Sequence, residues 1–243
     1  MKCSLYFLLV ALTAHQASAQ TTVKNHFPVE IKTVDLSIQR QREIERQNYL
    51  LSLNTRTQKE EKELSALLNK YGEVVESAWD IIEGGCSWYC GGGNFSIRAS
   101  SFLSSTSKET KYASKSANDL SYKTAWVEGK ADAGIGEYLE YSFKNTSPRI
   151  TKVIISNGYV KSESTWRNNN RIKRLNMYVN GKKHGVLNLQ DSRTDQVFAV
   201  GILGHNRDKT DLVLRFEIAE VYKGNMDNDT AITEIYFDGI DVH

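Results

Sequence analysis

Short segments in which hydrophobic and polar residues alternate organise the second half of the chain. Residues 137–143 read EYLEYSF, where Leu139, Tyr141 and Phe143 fall on one side of an extended chain. Alternation over four to eight residues is typical of a half-buried strand. Similar segments predict strands at residues 95–98, 137–143, 150–156, 172–179, 186–189, 196–200, 212–221 and 231–237. Because no segment of helical periodicity interrupts them, we predict a mostly β fold, an antiparallel β-sandwich of jelly-roll type, over residues 86–243.

One turn in this region has a strong local signature. Asn180 and Gly181 lie between two predicted strands. Both central residues of a tight two-residue turn adopt positive φ, which asparagine and glycine tolerate best. The pair therefore predicts a β-hairpin.

The pattern before residue 86 is helical. Residues 35–53 contain many helix formers, and a second helix is predicted after Thr57, because Thr57 and Glu60 have the spacing of a capping box. Apolar residues at three- and four-residue steps then share one helix face, namely Leu64, Leu67, Leu68, Tyr71, Val75, Ala78, Trp79 and Ile82. Gly72 is a candidate break in this pattern. Residues 20–85 are thus predicted to form a helical N-terminal region, extended or loose only at residues 21–31.

Residues 1–19 have the features of a cleaved signal peptide. Lys2 supplies a positive charge, residues 4–14 are apolar but too short to span a bilayer, and Ala17 and Ala19 mark a small-residue cleavage site. No later segment approaches the length of a membrane span. We therefore predict a secreted, periplasmic or cell-surface protein whose mature chain starts at Gln20.

Two cysteines follow the signal peptide, Cys86 and Cys90, and glycines flank them on both sides. In an exported chain, one local disulfide is the most economical interpretation of such a pair. A metal site is the alternative, although two thiols without a second pair or nearby histidines are an incomplete ligand set.

Charge and motifs exclude several function classes. The formal net charge is only +2, with acidic and basic residues interspersed, whereas binding to nucleic acid requires a strongly basic face. The sequence contains neither a G-x-S-x-G nor an H-E-x-x-H motif. We therefore expect neither a nucleic-acid partner nor enzymatic activity.

A series of short motifs resembles those of discoidin-like modules. They are ASSFL at residues 99–103, NDLSYKTAWVEG at 118–129, GIGE at 134–137, NGYVKS at 157–162, NNR at 169–171, EVYKG at 220–224, DT at 229–230 and ITEIYFDGIDVH at 232–243. The chain is most similar to secreted bacterial versions, the translocation and glycan-binding domain attached to some NAD glycohydrolases. The resemblance covers residues 87–243 and implies a coagulation factor type C-like sandwich. It implies no catalytic activity, because the catalytic domain is a separate unit.

The resemblance also implies a structural calcium site. Many discoidin-like modules hold calcium between the loop before a T-x-W motif and the last strand. Asp119 and Thr124 have the matching spacing, and Glu234 lies in the matching strand. The implied remaining ligands, which suit a hard cation, are carbonyl groups of Ser116, Ser121 and Thr233. Many relatives have glycine where this chain has Leu120, and loss of a positive-φ turn there would tilt the carbonyl groups. In the alternative, Asp119 caps a turn and Glu234 pairs with a lysine.

A candidate ligand site lies in residues 162–171, SESTWRNNNR. Sugars present an apolar C–H face and a rim of hydroxyl groups, so their sites combine an exposed aromatic ring with fixed amide or guanidinium groups. The candidate residues are Trp166, Asn168, Asn169, Asn170 and Arg171, with Asn157 and Tyr159 if the loop folds back. In the alternative, Trp166 caps the sandwich core and the asparagines are ordinary turn residues.

Trp126 and Glu128, both in the motif at residues 118–129, have different predicted roles. Trp126 resembles the core tryptophan of discoidin-like domains, so we predict that it is structural. Glu128 accepts hydrogen bonds either from sugar hydroxyl groups or from backbone amides of its own loop. On the first interpretation it belongs to the candidate ligand site.

These observations predict a secreted, non-catalytic glycan-binding module with a structural calcium ion. The alternative is an envelope or cell-surface adaptor that binds a protein through the helical N-terminal region. Loss of glycan binding in a folded Trp166→Ala variant would support the module. Loss of a partner or of self-association on deletion of residues 21–83 would support the adaptor.

Overall fold

The computed structural model describes residues 23–73, 76–81, 87–92, 94–104 and 111–242. The predicted signal peptide and Cys86 lie outside these residues, so cleavage after residue 19 and the disulfide from Cys86 to Cys90 stay predictions. Within the described residues, no helix is both long enough and apolar enough to cross a membrane.

In the part of the chain that the structure describes, eleven strands form two sheets that pack face to face. In chain order they are β1 (Asn25–His26), β2 (Glu30–Thr33), β3 (Phe95–Ala99), β4 (Trp126–Val127), β5 (Tyr138–Phe143), β6 (Ile150–Asn157), β7 (Arg171–Val179), β8 (Lys182–Asn188), β9 (Thr194–Leu203), β10 (Leu212–Tyr222) and β11 (Ala231–Gly239). The first sheet has the order β1-β8-β7-β10-β5-β3, and the second has the order β2-β9-β6-β11-β4. Every pairing is antiparallel except that of β1 with β8.

This architecture confirms the predicted mostly β sandwich. Each of the eight predicted strands is present, with ends that differ by a few residues. The predicted hairpin joins β7 to β8, and both of its central residues have positive φ, 48° at Asn180 and 76° at Gly181. The alternation of hydrophobic and polar residues was sufficient to identify these strands, because each strand has one face toward the other sheet.

Large aromatic side chains fill the space between the sheets. The core cluster includes Trp126, Tyr141, Phe143, Phe198, Phe216 and Phe237, all buried. The indole N–H of Trp126 donates to the carbonyl oxygen of Ser101 at 2.8 Å, which satisfies its one polar group inside the core. The predicted structural role of Trp126 is therefore confirmed.

Among the described residues, four α-helices lie outside the sheets: α1 (Ile38–Ser52), α2 (Gln58–Tyr71), α3 (Tyr89–Gly92) and α4 (Glu163–Asn168). The capping box of Thr57 and Glu60 is present at the start of α2, as predicted. The prediction that helical periodicity continues toward Ile82 is wrong where the structure describes that segment. Gly72 ends α2 with a φ of 80°, and Ala78 and Trp79 lie in a turn.

The N-terminal region also contributes strands to the sandwich. Residues 25–33, here called the strap, pair through β1 with β8 of the first sheet and through β2 with β9 of the second. These residues are extended, as predicted, but they are paired rather than loose. The strap therefore runs from the edge of one sheet to the edge of the other, and the boundary near residue 86 stays a prediction.

Candidate functional site

Four loops meet at one end of the sandwich and carry most of the predicted site residues. The amide of Asn170, before β7, donates to the carbonyl oxygen of Asp229, before β11, at 2.9 Å. The hydroxyl of Thr230 donates to the Ala133 carbonyl at 2.8 Å, and the amide of Gly129 donates to the Ser101 hydroxyl at 2.9 Å. These bonds tie loops from both sheets into one surface, which we call the loop end.

Trp166 does not form an exposed platform at this end. Its side chain is only 8% exposed and packs with Leu36 and Val160. Its indole N–H donates to the carbonyl oxygen of Asn157 at 2.9 Å. The expectation of an exposed sugar-stacking ring is therefore wrong for Trp166, because α4 turns the ring inward, and the core-capping alternative describes its position.

Arg171 is also committed to internal contacts. Its guanidinium forms two hydrogen bonds with the Asp191 carboxylate, at 3.0 and 2.9 Å, and lies 4.8 Å from the centre of the Trp166 ring. A further nitrogen donates to the carbonyl oxygens of Asn169 and Lys223. Such a paired, buried guanidinium fixes the loop rather than presenting free donors to a ligand.

The asparagines divide into buried and partly accessible groups. Asn157 bonds both backbone groups of Ile172 at 2.8 Å, and buried Asn170 accepts from the Gly224 amide at 2.8 Å. Tyr159 is buried too, and its hydroxyl contacts the Lys123 carbonyl at 3.3 Å. Only two of the predicted ligand-binding residues, Asn168 and Asn169, remain half-exposed.

Glu128 accepts its hydrogen bonds from backbone amides. One carboxylate oxygen accepts from the Lys130 amide at 2.6 Å and the other from the Thr230 amide at 3.2 Å. Burial raises the pKa of this carboxyl above its usual value. A Cβ on Gly134 would lie 2.5 Å from the Glu128 side chain, so glycine is required there. Of the two interpretations of Glu128, the structure shows the one in which it orders its own loop.

The predicted calcium ligands lie together beside the last strand. Asp119 accepts a hydrogen bond from the Thr124 hydroxyl at 2.6 Å, and Glu234 accepts from the Leu120 amide at 3.3 Å. Leu120 has a φ of 59°, so the backbone keeps the positive-φ turn although the residue is not glycine. The geometric objection to calcium at this loop is thereby removed.

One carboxylate oxygen of Glu234 supports the same site. It is buried without a hydrogen-bond partner. Burial, together with the nearby Asp119 carboxylate, raises the pKa of Glu234 well above its usual value. The described residues contain no group of three or more His, Cys, Asp or Glu side chains placed to hold a metal ion, so a metal would rely on these two acids, Thr124 and loop carbonyl groups. Two neighbouring carboxylates, one with an oxygen that has no hydrogen-bond partner, fit a hard divalent cation.

The remaining predicted ligand positions have structural contacts of their own. The Ser116 hydroxyl donates to the Lys111 carbonyl at 3.2 Å, and the Ser121 amide donates to Asp119 at 3.2 Å. The Thr233 hydroxyl donates to the Gly158 carbonyl at 2.7 Å. These bonds use side chains or amides, so they leave the role predicted for the carbonyl groups of these three residues untested.

A groove that the sequence did not predict lies on the outer face of the first sheet. We call it the Phe27 groove; its volume is about 610 Å³, and it is lined by Phe27, Pro28, Lys173, Arg174, Asn188, Leu189, Gln190, Asp191, Glu220 and Tyr222. Phe27 is 65% exposed, and Tyr222 is half-buried. The groove therefore has the exposed aromatic surface that the loop at residues 162–171 lacks.

Polar groups around this aromatic surface are held in place by one another. Glu220 bridges Lys173 at 2.6 Å and Arg174 at 2.7 Å. The Tyr222 hydroxyl donates to the Leu189 carbonyl at 3.0 Å, which orients its ring. The Asn188 amide nitrogen contacts the carbonyl oxygen of His26 at 3.2 Å and so joins β8 to the strap.

A protein-family model described as the NAD glycohydrolase translocation F5/8 type C domain matches residues 88–238. The chain belongs to this family. The resemblance drawn from the sequence motifs is thereby confirmed. A search of curated proteins finds no match to this F5/8 type C domain protein.

Several solved structures are similar to this F5/8 type C domain protein. CpGH89CBM32-5 from Clostridium perfringens, in complex with GalNAc-β-1,3-galactose, has 16% identity and a TM-score of 0.42, covering 63% of this chain and 100% of that chain. The F5/8 type C domain of a Bacteroides fragilis protein has 15% identity and a TM-score of 0.43, covering 67% and 98%. CBM32-1 and CBM32-2 of Clostridium perfringens ZmpB, in complex with GalNAc, have 10% identity and a TM-score of 0.42, covering 76% and 50%.

Proposed function

We propose that this protein is an exported, non-catalytic glycan-binding module whose ligand lies in the Phe27 groove. The observation that carries the proposal is that the exposed ring of Phe27 and the half-buried ring of Tyr222 line the same groove. Aromatic faces of this kind stack against the C–H face of a sugar ring. Membership in a family of F5/8 type C domains supports a binding role rather than a catalytic one.

The rim of the groove supports a sugar over a purely apolar ligand. Arg174, Gln190 and Asp191 line the same groove as the aromatic rings and provide both donors and acceptors. Sugar hydroxyl groups both donate and accept, so a mixed rim suits them. The ion pairs of Glu220 hold two of the cationic groups in place, which lowers the entropic cost of ligand binding.

The charge of the groove favours a neutral glycan. Its charged lining residues, Lys173, Arg174, Glu220 and Asp191, sum to a formal charge of zero. Glu220 pairs with both cations, and Asp191 pairs with Arg171. A polyanionic glycan would need an excess of unpaired cations instead. We therefore infer that the ligand is a neutral saccharide.

Calcium has a supporting role in this proposal. Asp119, Thr124 and Glu234 would hold the ion, with carbonyl groups of Ser116, Ser121 and Thr233 completing the set. When bound, the ion would neutralise the two carboxylates and fix the loop before β4. The role is structural, since these residues lie beside β11 rather than in the Phe27 groove.

The test is a glycan-array screen of the purified protein followed by titration of the best neutral ligand. We expect saturable binding that weakens about tenfold or more in Phe27→Ala, because an exposed aromatic anchor is lost. Val29→Ala is the matched control, since Val29 is 64% exposed on the same strap but does not line the groove.

Two outcomes would contradict the proposal at different levels. Glycan binding that is equal in the wild type, Phe27→Ala and Arg174→Ala would place the site outside this groove. Folded protein that binds no glycan on the array, with or without calcium, would remove the glycan-binding function itself.

The adaptor alternative receives less support from the helices. The apolar residues Ile44, Leu50 and Leu64 of α1 and α2 are buried within the protein. The apolar residues that α1 does expose, Ile38, Tyr49 and Leu51, are single side chains outside this buried set.

A further inference from the structure

We propose that β2 pairs with β2 of a second copy of this chain, so that the second sheets of two molecules join edge to edge. β2 is the edge strand of its sheet and pairs only with β9 among the described strands. An edge strand presents unpaired backbone groups that can accept another strand. The inference concerns assembly and does not depend on the glycan-binding function.

The backbone groups available at this edge can be assigned from the hydrogen bonding of the strap. The Val29 amide donates to the Val197 carbonyl at 2.8 Å, toward the interior of the sheet. Val197 lies opposite Glu30 in the register of β2 with β9, and its carbonyl points toward the strap, so Glu30 and Lys32 direct their N–H and C=O groups toward β9. Val29, which donates to the same carbonyl, lies one residue out of this register. Ile31 and Thr33 consequently direct their N–H and C=O groups away from the sheet.

Side-chain exposure on the strap points to an uncovered surface. All four residues of β2 are exposed. Ile31 in β2 and Val29 just before it are 41% and 64% exposed. An aliphatic pair next to an open strand edge is typical of a surface that another strand covers.

The charges of β2 are complementary to a second copy of itself. In an antiparallel pair with its two-fold axis at Ile31, each Glu30 lies opposite Lys32 of the other copy. The same register makes the two Ile31 residues a hydrogen-bonded pair, which uses the groups that point outward. Glu30 and Lys32 then form a non-hydrogen-bonded pair, in which the facing side chains lie closer together. Opposite charges at directly facing positions stabilise strand pairing, whereas like charges destabilise it.

These two side chains are also available for such a contact. Within the described part of the chain, no ion pair involves Glu30 or Lys32, while neighbouring Lys152 is already paired with Asp238 at 2.8 Å. The occupant that the charges favour is therefore another copy rather than a strongly acidic or basic peptide, which would match only one of the two residues.

A charge-exchange experiment tests the register. Sedimentation velocity over a range of concentrations should show a monomer–dimer equilibrium for the wild type. Lys32→Glu places Glu30 opposite a glutamate in the homodimer, and Glu30→Lys places Lys32 opposite a lysine, so each variant should dimerise at least tenfold more weakly. An equimolar mixture of the two variants restores both opposite-charge pairs and should recover the wild-type dimer.

A proline substitution in β2 tests strand pairing between the two copies independently of side-chain charge. Ile31→Pro removes an N–H that points outward, so it should abolish the dimer while the pairing of β2 with β9 and the melting temperature are retained. A wild type that is monomeric at its highest soluble concentration would overturn the proposal. A dimer that persists in Ile31→Pro, or a mixture that fails to recover it, would also overturn the proposal.

Discussion

At the scale of single residues, Trp166 joins segments that are far apart in the sequence. Its ring packs with Leu36, which precedes α1, and with Val160, and it lies beneath the Arg171 guanidinium. Gly158 allows this approach, since a Cβ there would lie 2.9 Å from the indole ring and 2.6 Å from Arg171. Trp166, which the sequence suggested as a platform for a ligand, thus stabilises the loop end.

Replacement of Trp166 by alanine should therefore destabilise the protein. We expect Trp166→Ala to lower the free energy of unfolding by about 3–5 kcal/mol, as for other large buried aromatic side chains. Asn168→Ala, in the same helix but half-exposed, should change it by less than about 0.5 kcal/mol. Chemical denaturation of both variants measures the difference. A Trp166→Ala protein of unchanged stability would contradict this assignment and revive the exposed-ring hypothesis.

Calcium should stabilise the protein through Glu234. At a hundredfold excess over Kd, a bound ion stabilises by about 2.7 kcal/mol, or roughly 5–10 °C in Tm for a protein of this size. Glu234→Gln keeps the shape of the side chain but removes the charge, so it should abolish both calcium uptake and the Tm shift. Calorimetric titration and thermal melts measure both.

The calcium-free protein provides the control. Because burial raises the pKa of Glu234 above its usual 4.5, the folded state holds this proton more tightly than the unfolded chain. The contribution of Glu234 to stability is consequently lost as the pH rises above about 4.5. Without calcium, Glu234→Gln should therefore be more stable than the wild type at pH 7. An unchanged wild-type Tm on calcium addition would remove the metal site.

At the scale of elements, local patterns predicted the strands whose faces are buried and missed those defined by distant partners. β5 and β10 alternate clearly because one face of each meets the core. β1 and β2 are only two and four residues long, and they are strands because β8 and β9 lie beside them. Their own residues contain no period-two burial that a sequence pattern could reveal.

Helix α4 was missed for a different reason. Serine, threonine and asparagine are typical turn residues, and they surround Trp166 in this segment. The helix begins with a capping box in which Thr165 replaces the usual glutamate or glutamine partner of Ser162. A helix of six residues shows too little periodicity to outweigh such a composition.

The strap should respond to pH through its histidine. The rings of His26 and His184 stack with 5.6 Å between their centres, and His26 Nδ1 contacts the Ala199 carbonyl at 3.0 Å. The other ring nitrogen of His26 is buried without a partner. Burial, reinforced by the nearby charges of Lys24 and His184, lowers the pKa of His26 below 6.5.

The sign of the effect follows from linkage. A histidine whose pKa is lowered by folding contributes stability above pH 6.5, and this contribution is lost as the pH falls through the folded-state pKa. We expect the Tm to decrease more between pH 7.5 and pH 5 in the wild type than in His26→Asn, which keeps a donor near the Nδ1 position. Equal decreases in both proteins would show that His26 does not titrate in this range.

At the scale of the whole molecule, the candidate groove is assembled from distant parts of the chain. Phe27 lies on the strap and Tyr222 at the end of β10, and the rim comes from residues between them. No window of the sequence contains this combination, so only the fold reveals it. The predicted calcium ligands Asp119 and Thr124, by contrast, are five residues apart, so the family motif was sufficient to propose them.

The strap also determines when the sandwich can be completed during folding. Asn25 pairs with Val186 and Glu30 with Val197. β1 and β2 therefore cannot pair with β8 and β9 until more than three-quarters of the chain has been synthesised. Closing so long a loop is entropically costly and slow. Until then, the edges of β8 and β9 are open to other chains. The period between synthesis and closure is therefore when this protein is most exposed to misassembly, and a chaperone that shields strand edges would act there.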